Sequence, residues 1–157
     1  MDLQIAEPLK DARNLELLRL LRADPCMSVS EMARRVGMSA PAVRERIDRL
    51  TEAGIIKGTR LEIDPKALGY PLSIYVRIRP MPGQLPKIPE LAARLPQVAE
   101  CHRITGEDCF IIKVYLDSLD NLDKILDQFL VFGQTTTSIV QSTPVPPRHL
   151  PLPDERG

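Results

Sequence analysis

The chain has 157 residues, with 21 Lys/Arg balanced by 21 Asp/Glu, a hydrophobic fraction of 43%, three cysteines and two histidines. That fraction suffices for packed cores and excludes wholesale disorder, while no apolar run is long enough to span a membrane. Two histidines and an odd set of scattered cysteines (Cys26, Cys101, Cys109) make neither a metal site nor a disulfide framework, so no metal and no cofactor is expected. The thiols suit a reducing cytoplasm. Residues 1–25 carry five acidic groups and no apolar core, unlike a secretory signal.

The charge is unevenly placed. Residues 1–60 hold eleven basic and nine acidic side chains, and residues 61–157 hold ten and twelve. Between positions 34 and 60 seven basic residues face three acidic ones. A local basic patch on a neutral chain suits a reader of specific nucleic-acid sites better than a general coat.

Taken in chain order, Leu15, Leu17, Leu18 and Leu21 form an apolar stripe predicting a helix over about 11–23, stopped by Asp24-Pro25. Ser28 stands three residues before Glu31, a capping-box spacing, and Val29, Met32, Ala33 and Val36 face inward in a second helix ended by Gly37. Ser39 caps a third helix, with Pro41 in its first turn and a seam of Val43, Ile47 and Leu50. Gly54 closes it, and Ile55-Ile56 begins an extended wing. After Pro65 the period changes to two. Leu72, Ile74, Val76 and Ile78 alternate with Ser73, Tyr75, Arg77 and Arg79 as a half-buried strand. A proline-stiffened connection leads to a short helix finished by Leu91–Leu95 before Pro96, then to strands over 98–105 and 109–116 around Gly106-Glu107-Asp108. Ser118 is expected to cap a helix in which Leu119, Leu122, Ile125, Leu126 and Phe129 face inward, and Thr135–Ser142 forms a last strand. The order β-α-β-β-α-β is the ferredoxin-like pattern, making the chain α+β. The last fifteen residues contain five prolines, and this tail is expected to be loose or to wrap over a neighbour.

Residues 28–50 have the mechanics of a helix-turn-helix: small Ala33 at the helix crossing, Gly37 for a left-handed turn, and Val43 locking the second helix onto the first. The N-terminal part of such a helix enters the major groove, so Ser39, Pro41, Ala42, Glu45 and Arg49 are the candidates for base edges. Arg34, Arg44, Arg46 and Lys57 are the candidates for phosphate contacts. Glu45 is spaced to pair with Arg49. The competing reading is a three-helix protein-interaction module with a charged face.

These pieces fall in one order: Asp11-x-x-Asn14-x-x-Leu17-Leu18, Ser30-Glu31-x-Ala33-x-x-Val36-Gly37-x-Ser39, Arg46-Ile47-x-x-Leu50-x-x-x-Gly54-Ile55-Ile56, Asp64-Pro65-x-x-Leu68-Gly69, Pro96-x-Val98-x-x-Cys101 and Thr105-Gly106-x-Asp108-x-x-Ile111-x-Lys113-Val114. In that order the chain, over about residues 9–145, resembles the Lrp/AsnC family of leucine-responsive, feast/famine transcription regulators. The resemblance implies a winged helix-turn-helix DNA-binding domain (1–60), a hinge strand or linker (61–71) and a ferredoxin-like RAM-type effector-binding and oligomerisation domain (72–145); the proline-rich tail (146–157) is not part of the family pattern. It further implies dimers built through the C-terminal sheets, often assembled into octamers, a pseudo-palindromic double-stranded operator, and amino-acid effectors in clefts between dimers.

Carried onto this sequence, the effector candidates are Thr105, Gly106, Glu107 and Asp108 with Thr135, Thr136, Thr137 and Ser138. Open amides at Gly106 can receive a carboxylate, and Glu107 or Asp108 can pair with an ammonium. The same turn also reads as a plain tight hairpin. Two departures stand out: Asn14 replaces a usual acidic residue, at little expected functional cost, and polar Gln134 follows Gly133.

Cys101 and Cys109 are expected out of register as buried thiols, and His102 as a structural strand residue. Tyr70, Tyr75 and Tyr115 are too scattered for a base-stacking platform. Two alternatives compete with a regulator. One is an enzyme resembling sirohaem decarboxylases, for which 101–110 supplies one histidine, one arginine and no tyrosine. The other is a protein-interaction adaptor, against which Arg44, Arg46 and Arg49 count.

Overall fold

In the computed structural model, which describes residues 5–156, the helical rhythm of the first sixty residues becomes three helices: α1 (Ala12–Ala23), α2 (Val29–Val36) and α3 (Ala40–Glu52). Each starts on a side chain that takes up an orphan amide. Asp11 accepts from Arg13 N at 2.8 Å, Ser28 from Glu31 N at 3.2 Å and Ser39 from Ala42 N at 3.4 Å. The expected capping box on α2 is only half made. The Glu31 carboxylate turns to Arg34 and Arg35 instead of the Ser28 amide, because two guanidinium groups outcompete one neutral N–H. Gly37, at φ +65°, turns the chain between α2 and α3. Leu17, Met32, Ala33, Val36 and Val43 close the core between the helices.

Of the two readings of 61–71, a hinge strand or a linker, this chain makes the linker: no described residue between α3 and Leu72 is in a strand. Asp64 Oδ1 accepts from Lys66 N at 3.0 Å, Tyr70 N donates to Pro65 O at 2.9 Å, and Pro65 has no N–H to offer a ladder. Local turn bonds replace strand pairing.

By its internal contacts the chain forms two units. The first is the chain up to Leu61 together with the chain from Pro147 onward, and the second is Glu62–Pro146. The proline-rich tail therefore packs with the first unit rather than hanging loose. It returns to α1, where Arg19 pairs with Asp154 and Glu155, and Arg22 pairs with Glu155 at 3.4 Å. Glu155 also accepts from Leu152 N at 2.8 Å, closing a short 3-10 turn over Pro153–Glu155.

The second unit runs β1 (Leu72–Pro80), α4 (Lys87–Arg94), β2 (Val98–Arg103), β3 (Phe110–Leu116), α5 (Asp120–Leu130) and β4 (Gly133–Ile139). Its antiparallel sheet has the order β2-β3-β1-β4, the ferredoxin-like arrangement. Ile74, Val76 and Ile78 of β1 and Phe110, Ile112, Val114 and Leu116 of β3 bury one face against Ile88 and Leu91 of α4 and Ile125 and Phe129 of α5. Three local readings need correction. Helix α4 begins at Lys87, because Pro89 falls in its first turn, where no N–H is missed. Ser118 does not cap α5, since Asp117 Oδ1 accepts from Ser118 N and from Asn121 instead, and Leu119, which precedes the first helical residue, is exposed rather than inward-facing. Strand β4 spans 133–139 rather than 135–142. Gly133 is required at its start, since a Cβ there would lie 2.3 Å from Arg79 O.

Cys101 is opposite Ile112, so it shares no register with Cys109, and all three cysteines are free thiols. Burial pushes the Cys101 thiol pKa up, which keeps it protonated and unreactive.

Candidate nucleic-acid interface and effector site

The outward face of α3 is assembled by what the inward face binds. Val43 and Leu50 are fully buried, which leaves Pro41, Arg44, Glu45, Asp48, Arg49 and Glu52 exposed and Ala42 half-buried. Arg49 pairs with Glu45 one turn earlier, as its spacing predicts. Arg44 and Lys57 are exposed and join no ion pair among the described residues, so both remain available to phosphate. Arg34 is held by both carboxylate oxygens of Glu31, at 2.9 and 2.7 Å, with Arg35 on the same group at 2.7 Å. The Arg35 and Arg34 bonds, in that order, hold the Glu31 carboxyl below its usual range. Arg35 went unread in the sequence, although it is exposed and adjoins Arg34 in the last turn of α2.

Arg46 is the correction. It is not an open phosphate ligand. Its Nη1 donates to Asp11 Oδ2 at 2.6 Å and to Asn14 Oδ1 at 2.9 Å, stapling α3 to the start of α1. The Arg46 bond is the main reason the Asp11 carboxyl titrates below its usual range. Asn14 is the one buried polar side chain among the described residues, and its Nδ2 donates to Pro8 O at 2.8 Å. A carboxylate at position 14 could accept from Arg46 but could not donate to Pro8. The departure from the acidic residue therefore has a structural use. Arg13 completes the frame by donating to Val36 O, at the C-terminal end of α2, at 2.6 Å.

In the second unit, Gly106 at φ +106° turns the hairpin between β2 and β3, and Ile104 N donates to Cys109 O at 2.8 Å. The acidic groups of this turn reach back to β1. Glu107 pairs with Arg79, and Asp108 lies 3.7 Å from Arg77 and 3.9 Å from Arg79. Those two arginines, absent from the sequence reading of the site, already occupy the carboxylates assigned to a ligand ammonium. Alternation on β1 (Arg77, Arg79) opposite an acidic turn was the available signal.

Strand β4 enters the same end of the sheet, with Arg79 opposite Gln134 and Arg77 opposite Thr136. Thr136 and Ser138 thus share the arginine face. Thr135 and Thr137 do not: they stand opposite Ile78 and Val76 and point to the helix-covered side. Four consecutive strand residues cannot line one surface, because the side-chain period is two.

The face of the sheet turned away from α4 and α5 carries Tyr75, Ile111, Lys113 and Tyr115 at its middle. Lys113 Nζ lies 5.7 Å from the Tyr75 ring centre, 5.4 Å from that of Tyr115 and 3.6 Å from Glu100. His102 sits beside Glu100 on this face at 3.1 Å, with no metal-ligating cluster among the described residues.

Residues 10–57 match the winged helix-turn-helix DNA-binding family, and residues 73–150 match the Lrp/AsnC ligand binding domain. The HTH-type transcriptional regulator LrpC of Bacillus subtilis is 30% identical over 84% of this chain and 92% of its own length. Its solved structure superimposes with a TM-score of 0.79 over 85% of this chain and 95% of that one. The regulator LrpA of Mycobacterium tuberculosis is 32% identical over 81% of this chain and 87% of its own. A transcriptional regulator of Neisseria meningitidis, solved as a complex with L-Met, shares the fold at 19% identity, with a TM-score of 0.82 over 92% and 97% of the two chains. The chain is a helix-turn-helix transcriptional regulator with a small-molecule-binding domain, and it belongs to the Lrp/AsnC family.

Proposed function

We propose that this regulator works as a cytoplasmic homodimer, joined through the open sheet faces, that reads a pseudo-palindromic operator with the outward face of α3. A free amino acid at the hairpin end of the sheet tunes it. The observation that carries the DNA reading is the exposed α3 face itself. Arg44, Glu45 and Arg49 project from a helix whose rear is fixed by Val43, Leu50 and the Arg46–Asp11–Asn14 staple. Arg49 reads a base edge, while Arg44 and Lys57 hold phosphates. The dimer reading is supported by an aromatic and aliphatic centre, exposed at Tyr75 and half-buried at Ile111 and Tyr115, on a sheet face the helices leave uncovered. Two recognition helices then meet half-sites one or more helical turns apart.

The effector reading is supported by the L-Met complex of the Neisseria protein and by the convergence of Gly106, Glu107, Asp108, Arg77, Arg79 and Thr136. The arginines here offer guanidinium to a ligand carboxylate, and the ligand ammonium competes for Glu107. Such a ligand changes DNA binding only by favouring one assembly over another, since equal affinity shifts nothing.

The test is enrichment of genomic fragments by the purified protein at fixed salt, beside an Arg44→Ala/Arg49→Ala variant. Arg46 is kept, because its loss would loosen the frame that holds α3. A few enriched pseudo-palindromic sites that vanish with the variant support the reading. Equal recovery by both proteins would overturn it.

A further inference from the structure

Two clefts of the second unit share a wall, and neither includes a residue of the hairpin. The larger, about 350 Å³, is lined by Gln97, Asp117, Asn121, Lys124 and Gln128 among others. The smaller, about 170 Å³, is lined by Pro65, Leu68, Pro96, Ala99 and Tyr115. Tyr70 and Gln97 belong to both, so a polar chamber opens beside an apolar one.

The polar chamber holds two opposite charges that do not neutralise each other. Asn121 stands between them: its Nδ2 donates to Asp117 Oδ1 at 2.7 Å, and its Oδ1 accepts from Lys124 Nζ at 2.7 Å. Neither Asp117 nor Lys124 joins an ion pair with any described residue. Asp117 also accepts from Ser118 N at 2.8 Å, and its carboxyl is held below the usual range, chiefly by the Asn121 bond, so it stays ionised. Each charge is thus aimed, with hydrogen-bonding capacity left over.

The third observation is independent. Gln97 Oε1 is buried with no hydrogen-bond partner, the single such side-chain atom among the described residues. The Gln97 backbone is fixed, its carbonyl accepting from Tyr115 N at 2.9 Å. A buried acceptor of this kind marks a place where a donor belongs.

We propose that the joined clefts bind a free α-amino acid with an apolar side chain. Its carboxylate meets Lys124, its ammonium meets Asp117 and, once the Gln97 side chain turns into the cleft, Gln97 Oε1, and its side chain lies against Leu68, Tyr70 and Pro96. A zwitterion satisfies both unpaired charges and the orphan acceptor at once, while the apolar chamber takes the tail. This site is separate from the hairpin and stands whether or not the hairpin binds an effector.

The experiment is calorimetric titration of the full chain with L-leucine, L-methionine and L-phenylalanine, and with two clipped analogues. Leucinamide lacks the carboxylate, and 4-methylpentanoate lacks the ammonium. The variants are Lys124→Met and Gln97→Leu, with Glu107→Gln/Asp108→Asn at the hairpin as the contrast. Lys124 is exposed, and Gln97→Leu removes an unmet acceptor, so both variants keep the fold. The expected result is saturable binding of at least one of the three amino acids. That affinity should fall by about tenfold in Lys124→Met and in Gln97→Leu, the loss of one charge-assisted bond. The clipped analogues should bind as weakly, and the hairpin variant should bind the cleft ligand unchanged. On saturation the side-chain amide resonances of Gln97 should shift. Binding lost only in the hairpin variant would assign the ligand to the hairpin and overturn the cleft. Equal affinity across Lys124→Met, Gln97→Leu and the unaltered chain, or no saturable binding of any of the three amino acids, would overturn it as well.

Discussion

The two units solve the same packing problem by different means. The helical unit closes a small core of five buried residues, Leu17, Met32, Ala33, Val36 and Val43, and then cross-links its helices with charge: Arg46 to Asp11 and Asn14, Arg13 to the end of α2, Arg19 and Arg22 to the returning tail. The sheet unit buries twelve residues behind one face and keeps its ion pairs on the other, apart from Lys87–Glu90 on the surface of α4. Small helices that must present an open polar face have little apolar surface to spare, so directional bonds take over. A four-stranded sheet covered by two helices has enough area without them.

That difference can be broken experimentally, because the chain has no tryptophan and Tyr70, Tyr75 and Tyr115 all lie in the second unit. Tyrosine fluorescence therefore follows the sheet unit, and far-UV circular dichroism adds the helices. The largest effect should come from Phe129→Ala, which empties a fully buried site. It should cost about 3–5 kcal/mol in the tyrosine-detected urea transition. Arg46→Ala comes next, at about 1–2 kcal/mol given its partial exposure, and it should move the helical transition while leaving the tyrosine midpoint in place. Coincident shifts in both signals would show that the units do not unfold separately.

Acid should sharpen the same contrast. The Asp11 pKa is lowered from its ordinary 3.8 by Arg46, so its stabilising contribution is complete above that value and disappears as pH falls through the lowered one. A pH series below about 4 should therefore loosen the helices of the unaltered chain and change Arg46→Ala less. A parallel loss in both proteins would remove the staple from the explanation. The smallest effect on stability is expected from Arg44→Ala, whose side chain touches nothing that holds the fold. Its urea transitions should match those of the unaltered chain, while the slope of log affinity for DNA against log salt should flatten by about one.

The sequence carries its local periods openly. Two helix starts could be placed on Ser28 and Ser39, and β1 could be read from strict alternation, because caps and side-chain period are properties of neighbouring residues. The partnership of Arg46 with Asp11 spans 35 positions, and that of Arg79 with Glu107 spans 28. Nothing local distinguishes a stapling arginine from a phosphate-binding one on the same helix. The same holds for the hairpin, whose acids looked free until β1 brought two arginines beside them. Thr135 and Thr137 are a different case. Their orientation follows from the period of a strand, and grouping them with Thr136 and Ser138 set aside a rule already in use for β1.

The return of the tail to α1 bears on the order in which the molecule can be finished. Arg19 and Asp154 are 135 positions apart, and the whole of the second unit is synthesised between them. The helical core can close early from local contacts, but Arg19 and Arg22 must wait, bare, until the sheet unit has been made. The unit begun first is thus completed last, and during that interval two unpaired arginines stand on α1 of a nascent DNA-binding domain.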